Sequence, residues 1–196
     1  MAADKGGAGD LGELPPGLAG LVAQAGQAAK ARPVERWDPP YCGEIDMRIA
    51  ADGAWFYRGS LIAREPLVRL FASILRREPD GRHVLVTPVE KVGIEVTDAP
   101  FLAVEVAAVG EGRERGLTFR TNVGDLVAAG PDHPLRFETE AGTAGLKPYL
   151  RVRGGLDALA SRALALELVD MADEEDGAAG IWSGGMFFPF AGASIG

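Results

Sequence analysis

Ile45-Asp46-Met47-Arg48-Ile49-Ala50-Ala51-Asp52-Gly53-Ala54-Trp55-Phe56-Tyr57-Arg58-Gly59-Ser60 is the stretch that decides the fold. Ile45, Met47 and Ile49 alternate with Asp46, Arg48 and Ala50, the period-two pattern of a half-buried strand. Asp52-Gly53 then supplies the positive φ of a tight hairpin turn. On the return strand Trp55, Tyr57 and Gly59 share one face, and Phe56, Arg58 and Ser60 the other. Trp55 reads as core and Tyr57 as edge packing.

Moving towards the C-terminus, Leu67, Leu70, Phe71, Ile74 and Leu75 fall at helical spacing, with Pro66 suited to the first turn. Arg69, Arg76 and Arg77 lie off that stripe and are expected in solvent. Pro79-Asp80-Gly81 closes the helix. Strands are expected near 82–87, 89–97, 100–110, 115–121, 123–128, 134–140 and 146–153, separated by turn residues, as in an antiparallel meander. A second helix is expected over 155–172, with Leu156, Leu159, Ala163, Leu166 and Val169 as its inward stripe. An acidic loop at 173–179 and a last strand at 181–190 follow. Towards the N-terminus, Leu18, Leu21, Val22, Ala25 and Ala28 predict a helix over 16–31, followed by a proline-rich connector. Residues 1–12 are small, Gly-rich and expected to fray.

The chain has 196 residues, 47% of them apolar and 24% charged, which suits one or two globular domains. Its 27 Gly and 13 Pro fit many turns. One cysteine excludes an internal disulfide, and with only two histidines an all-His/Cys four-ligand zinc site cannot be assembled. No apolar run is long enough to span a membrane, and the N-terminus lacks a signal-peptide core, so a cytoplasmic location is expected. The net charge of −8 disfavours long duplex nucleic acid. Much of the net negative charge sits in Asp170, Asp173, Glu174, Glu175 and Asp176, which leaves room for a local basic pocket.

The words Cys42-Gly43-Glu44-Ile45-Asp46-Met47-Arg48-Ile49, Asp52-Gly53-x-Trp55-Phe56-Tyr57-x-Gly59-Ser60-x-Ile62 and Leu67-Val68-x-Leu70-Phe71-Ala72-Ser73-Ile74-Leu75 come in a distinctive order. They are followed by Thr87-Pro88-Val89-Glu90-Lys91-Val92, Asp98-Ala99-Pro100-Phe101, Thr121-Asn122-Val123-Gly124-Asp125 and Trp182-Ser183-Gly184-Gly185. Together, over roughly 40–190, they resemble the bacterial family known as domain of unknown function 1285. The resemblance implies an internally duplicated α+β core whose C-terminal part is pleckstrin-homology-like, with no established activity. It also implies a ligand site between two halves for a nucleotide- or nucleic-acid-like molecule, and a role in signalling. The residues themselves hint at duplication: Gly53-Ala54-Trp55 and Gly180-Ile181-Trp182 share a Gly-x-Trp start with a later glycine.

Lys147-Pro148-Tyr149-Leu150-Arg151-Val152-Arg153 is the most informative local pattern for function. On a strand Leu150 and Val152 turn to the core, while Lys147, Tyr149, Arg151 and Arg153 share the other face. Arginine forks pair with phosphate, and a tyrosine ring can stack on a base. The competing reading is an outer face whose arginines pair with nearby carboxylates. Arg120 also projects off the core, while Asn122 reads as a turn residue. Arg48, Arg58 and Arg64, with Ser60, offer a second cluster of cations.

Catalysis has no comparable signal. Ser60 and Ser183 lack a nucleophile-elbow context, and Glu90 and Lys91 point to opposite faces of a strand. Asp52, Asp98 and Asp125 sit at turns. Cys42 reads as a small buried hydrophobe and Trp182 as core.

The expected protein is therefore α+β, with a duplicated β/α core and a C-terminal half built as a pleckstrin-homology-like bent antiparallel sheet closed by one helix. A tail, helix and connector at 1–40 would precede a half at 41–88. A second half at 89–196 would send its final strand back towards the first. The expected function is non-catalytic: a small anionic, nucleotide-like ligand held by Lys147, Tyr149, Arg151, Arg153, Arg48, Arg58 and Arg120, with no metal and no cofactor. The alternatives are a protein-interaction adaptor without a small ligand, or a hydrolase without a legible motif.

Overall fold

The alternation around Asp52-Gly53 folds as a hairpin. In the computed structural model, which describes residues 14–23, 32–140, 142 and 145–190, strand β1 (Tyr41–Ile49) pairs antiparallel with β2 (Trp55–Tyr57). Ile49 sits opposite Trp55 and Met47 opposite Tyr57, and all four side chains are buried. Gly53 takes the positive φ the turn requires, and the Ala54 amide donates to the Asp52 carboxylate. A two-residue strand, β3 (Ser60–Leu61), follows.

Helix α2 (Glu65–Ser73) starts with Pro66 in its first turn and buries Leu67, Leu70, Phe71 and Ala72. The Phe71 ring stacks on Trp55 at 6.2 Å. The expected stripe continues through Ile74 and Leu75, and both are buried. The helix nevertheless ends at Ser73, and Leu75–Arg77 is strand β4. That change of element corrects the expectation for Arg76. Its side chain is buried and donates to the carbonyls of Val34 at 2.9 Å and Trp37 at 2.7 Å, pinning the connector.

Strands β5 (His83–Val86) and β6 (Lys91–Val96) complete a six-stranded sheet in the order β3-β2-β1-β6-β5-β4. Its central pair, β1 and β6, is parallel. The first compact unit ends at Thr97. The division expected at 88/89 therefore moves, because β6 takes its partners from β1 and β5.

The second unit begins at Asp98. Its sheet contains β7 (Phe101–Val109), β8 (Gly116–Thr121), β9 (Leu126–Ala128), β10 (Leu135–Thr139), β11 (Leu146–Arg153) and β12 (Leu156–Ala160). The order is β10-β11-β12-β7-β8-β9, again with a parallel central pair, β12 and β7. Read from the other edge, this is the order of the first sheet: two three-stranded meanders whose first and last strands meet in parallel. The duplication lies here, between the two sheets. Trp182 does not belong to it, because its strand lies in a separate three-stranded sheet.

Helix α3 (Arg162–Asp170) follows β12, whereas α2 lies between the two meanders of its own unit. The helix expected over 155–172 is thus shorter, its first residues having gone to β12. Ser161 caps it, accepting from the Leu164 amide. The inward stripe is Leu164, Ala165 and Leu168, which displaces the expected one.

The acidic segment expected as a loop contains β13 (Asp173–Glu175), which pairs with β14 (Ala178–Ser183), and β14 with β15 (Met186–Pro189). The last strand belongs to the second unit, and β15 packs against β10. Ser183 fixes the hairpin to the second sheet: its hydroxyl donates to the Ala129 carbonyl at 2.7 Å and accepts from the Leu117 amide at 2.9 Å. Trp182 is half-buried beside Phe187, with the Arg113 guanidinium 4.9 Å above its ring.

At the N-terminus α1 (Pro16–Ala23) realises the start of the expected helix, while residues 24–31 lie outside the described residues. Among the described residues, no helix is long and apolar enough to cross a membrane.

Candidate functional site

Strands β10, β11 and β12 place the expected basic stripe in register with acids. Arg136 stands opposite Tyr149, Glu138 opposite Lys147 and Arg151 opposite Asp157. Asp98, just before β7, closes the group: its two oxygens take Lys147 Nζ at 2.5 Å and Tyr149 Oη at 2.8 Å. Arg151 Nε donates to Asp157 Oδ1 at 2.6 Å. Arg136 donates to the other Asp157 oxygen at 3.2 Å and pairs with Glu138. Three cations, Arg136, Lys147 and Arg151, thus meet three carboxylates, Asp98, Glu138 and Asp157.

The Tyr149 ring lies beneath this lattice. The Arg136 guanidinium carbon is 3.9 Å from the ring centroid and Lys147 Nζ is 5.5 Å away. Only 4% of the residue is exposed, so the ring is covered rather than presented for stacking. Burial pushes the Tyr149 hydroxyl pKa up. Burial also raises that of Asp98, but hydrogen bonds from Lys147 and Tyr149 outweigh it and hold the carboxyl below its ordinary value. The hydrogen bond to Asp98 is the main cause of a raised Lys147 pKa.

The remaining candidates disperse. Arg153 donates to Asp125 at 3.1 Å and lies over the Phe101 ring. Arg120 makes a two-pronged pair with Glu105, 2.7 and 2.5 Å. Arg48 and Arg58 belong to the first unit. Arg48 lies 4.8 Å from the Phe56 ring and beside a groove of about 460 Å³ lined by Glu44, Ile45, Asp46, Met47, Arg48, Ile94 and Glu95. Three carboxylates against one guanidinium make that groove a poor receptor for an anion. Arg58 occupies a turn at positive φ, its guanidinium 5.6 Å from the Tyr57 ring.

Sequence reasoning missed the acids that answer the basic stripe. Asp98 read as a turn residue and Asp157 as part of a helix. Arg136 went unnoticed because its proximity to Tyr149 depends on hairpin register. Asn122 does turn the chain, and its side chain also accepts the Leu102 amide at 3.0 Å. Cys42 is exposed rather than buried, since Tyr41 and its neighbours lie on the open end of β1. Among the described residues no three His, Cys, Asp or Glu side chains are grouped to hold a metal.

Two family models cover the chain: the N-terminal domain of DUF1285, a domain of unknown function, over residues 32–99, and the DUF1285 C-terminal domain over 100–190. The chain belongs to the DUF1285 family. The boundary between these two domains falls within a few residues of the structural division at Thr97/Asp98.

A crystal structure of a DUF1285 family protein from Silicibacter pomeroyi DSS-3 is similar, with 50% identity and a TM-score of 0.81. The match covers 87% of this chain and 93% of that one. A second DUF1285 crystal structure, from Shewanella baltica OS155, matches at 28% identity with a TM-score of 0.50, covering 66% of this chain and 94% of that one. No curated protein matches the chain. The DUF1285 relatives thus establish family and fold, and no activity comes with them.

Proposed function

We propose that this protein is a non-catalytic interaction module that docks through the outer side of α3 onto a second copy of itself. One observation carries the reading: α3 has an exposed apolar stripe as well as its core-facing one. Leu164, Ala165 and Leu168 face the core, while Ala163, Leu166 and Val169 are exposed, Leu166 at 61% and Val169 at 44%. Arg162, Glu167 and Asp170 share that outer side, so the exposed apolar stripe is set among charges, the make-up of a modest interface patch with a polar rim.

The exposed stripe is self-complementary. In an antiparallel pair crossing at Leu166, positions three and four residues to either side meet across a twofold axis. Ala163 then packs against the second copy's Val169, and Arg162 faces its Asp170. Antiparallel helix dipoles add to the attraction. A nine-residue helix is about 13 Å long, so the crossing sits at the weak end of specific interfaces, below about 1,200 Å². The expected dissociation constant is roughly 10–500 µM, about −4.5 to −7 kcal/mol.

Sedimentation velocity across concentrations bracketing that constant tests the reading. The wild-type chain should pass from monomer to dimer, and Leu166→Glu should remain monomeric with an unchanged melting temperature. A wild-type chain that stays monomeric throughout overturns it.

The second reading keeps a small anionic, nucleotide-like ligand at Lys147, Tyr149, Arg151 and Arg153, with a role in signal transduction. One observation favours it. Arg151 spends only Nε on Asp157, its side chain is 38% exposed, and its other N–H groups have no acceptor among the described residues. An incoming phosphate would have to displace Asp157 or Asp98 from cations they already neutralise, which is why this reading stands second. A pleckstrin-homology-like character of the second unit, strands followed by one closing helix, suits either reading. Calorimetric titration with inorganic phosphate and with nucleotides decides it. Binding tighter than about 1 mM that Arg151→Ala abolishes establishes the anion site, and its absence removes it.

A further inference from the structure

Helix α1 begins without a capping side chain of its own, because Pro15 precedes it. Pro16 has no N–H to satisfy, and the Ala19 amide reaches the Pro15 carbonyl at 2.9 Å. The two amides between them, Gly17 and Leu18, both donate to one oxygen of Glu90, at 2.8 and 3.1 Å. Glu90 is thus the missing cap, supplied from 72 residues further along the chain.

The receptor is built. Glu90 is only 7% exposed, and its backbone is locked in a turn where Thr87 Oγ1 accepts its amide at 3.1 Å and donates to its carbonyl at 3.2 Å. A Cβ on Gly17 would stand 2.6 Å from Thr87 Oγ1 and 2.8 Å from Glu90 Oε1, so any side chain there forces the Thr87 and Glu90 groups that hold the helix to shift. Next to it Leu18 is fully buried, and α1 packs on α2. A Cβ on Gly20 would meet nothing within 4 Å.

From this we infer that α2 and the Thr87–Glu90 turn form a docking groove for the N-terminal end of a helix bearing a Gly-Leu pair, and that α1 is a replaceable occupant of it. The N-terminal family model begins at residue 32, beyond α1, so the groove is part of the family domain and its occupant is not. The groove holds its own segment in cis, and the same segment from a second copy fits it in trans. This rests on α1 and Glu90 alone and is independent of the α3 interface.

Hydrogen exchange and peptide binding on the full-length chain test the inference. Gly17→Ala and Gly20→Ala make the same chemical change on one helix. Gly20→Ala should leave the amides of residues 17–23 at least as protected as in the wild type, while Gly17→Ala should speed their exchange at least tenfold. A fluorescent peptide spanning residues 12–25 should bind the Gly17→Ala chain, whose groove is vacated, and bind the wild type at least tenfold more weakly. If Gly17→Ala fails to fold, Leu18→Ala releases α1 with the groove intact and should take up the same peptide. Equal exchange in the two glycine variants, or a released α1 whose groove ignores the peptide, overturns the inference.

Discussion

Two surfaces of the second unit invite opposite readings. The β10–β12 face carries the basic and aromatic residues that catch the eye in the sequence, and the outer side of α3 carries Ala163, Leu166 and Val169 among Arg162, Glu167 and Asp170. The charged face is satisfied from within. Lys147 and Tyr149 are tied to Asp98, Arg151 and Arg136 to Asp157, and the ring is covered. The α3 face is not, since Leu166 and Val169 are exposed. A charge that already has its counter-charge offers a partner little, because any new contact must first undo an old one. An exposed apolar side chain has no competing contact to lose. On that reasoning the proposed α3 contact has less to undo than a ligand on the charged face would.

That contrast is sharpest at Asp157. Asp157→Ala should destabilise the second unit by about 2–3 kcal/mol, less than a fully buried pair because its two arginines are partly exposed. Its thermal transition should fall by roughly 10 °C. A change near zero would mean that the charged face is not held together internally and would return it to candidacy as a ligand site.

Asp98→Asn should cost about 1–2 kcal/mol at neutral pH, and its pH dependence has a definite sign. The Asp98 pKa is depressed on folding, so its contribution is present above the unfolded carboxyl value of about 3.9 and disappears as pH falls through the folded value. The Lys147 pKa is raised, so its contribution is present below about 10.4 and is lost as pH climbs through the folded value. Urea titrations of the wild type and Asp98→Asn should diverge at pH 7 and converge in acid. Curves that stay parallel into acid would contradict the assignment. Least affected should be Arg120→Ala, which removes the solvent-exposed pair with Glu105 and should leave the melting temperature within error.

The first unit was legible where one pattern implied one element. Ile45, Met47 and Ile49 alternate, Asp52-Gly53 turns, and Leu67, Leu70 and Phe71 recur at helical spacing, all as found. Failures came where a pattern admitted two elements. Leu75-Arg76-Arg77 continues the α2 spacing but is strand β4, because residues 74 and 75 are buried in either geometry. In α3 both Leu164/Leu168 and Ala163/Leu166/Val169 satisfy a helical period, and periodicity cannot say which turns inward. Strand order was legible only in part. The central parallel pairs β1–β6 and β7–β12 join strands far apart in sequence, which local patterning does not encode. The same limit hid the acids of the charged face, since Asp98 and Asp157 reach Lys147 and Arg151 through register rather than spacing.

The claim that α3 pairs with α3 stands or falls on charge reversal, measured as sedimentation equilibrium of four chains: wild type, Arg162→Asp, Asp170→Arg and the double variant. The twofold geometry predicts that each single variant weakens self-association by at least fivefold and that the double variant, which restores opposite charges across the axis, regains most of the wild-type affinity. Single variants that dimerise like the wild type, or a double variant no better than either single, would contradict it.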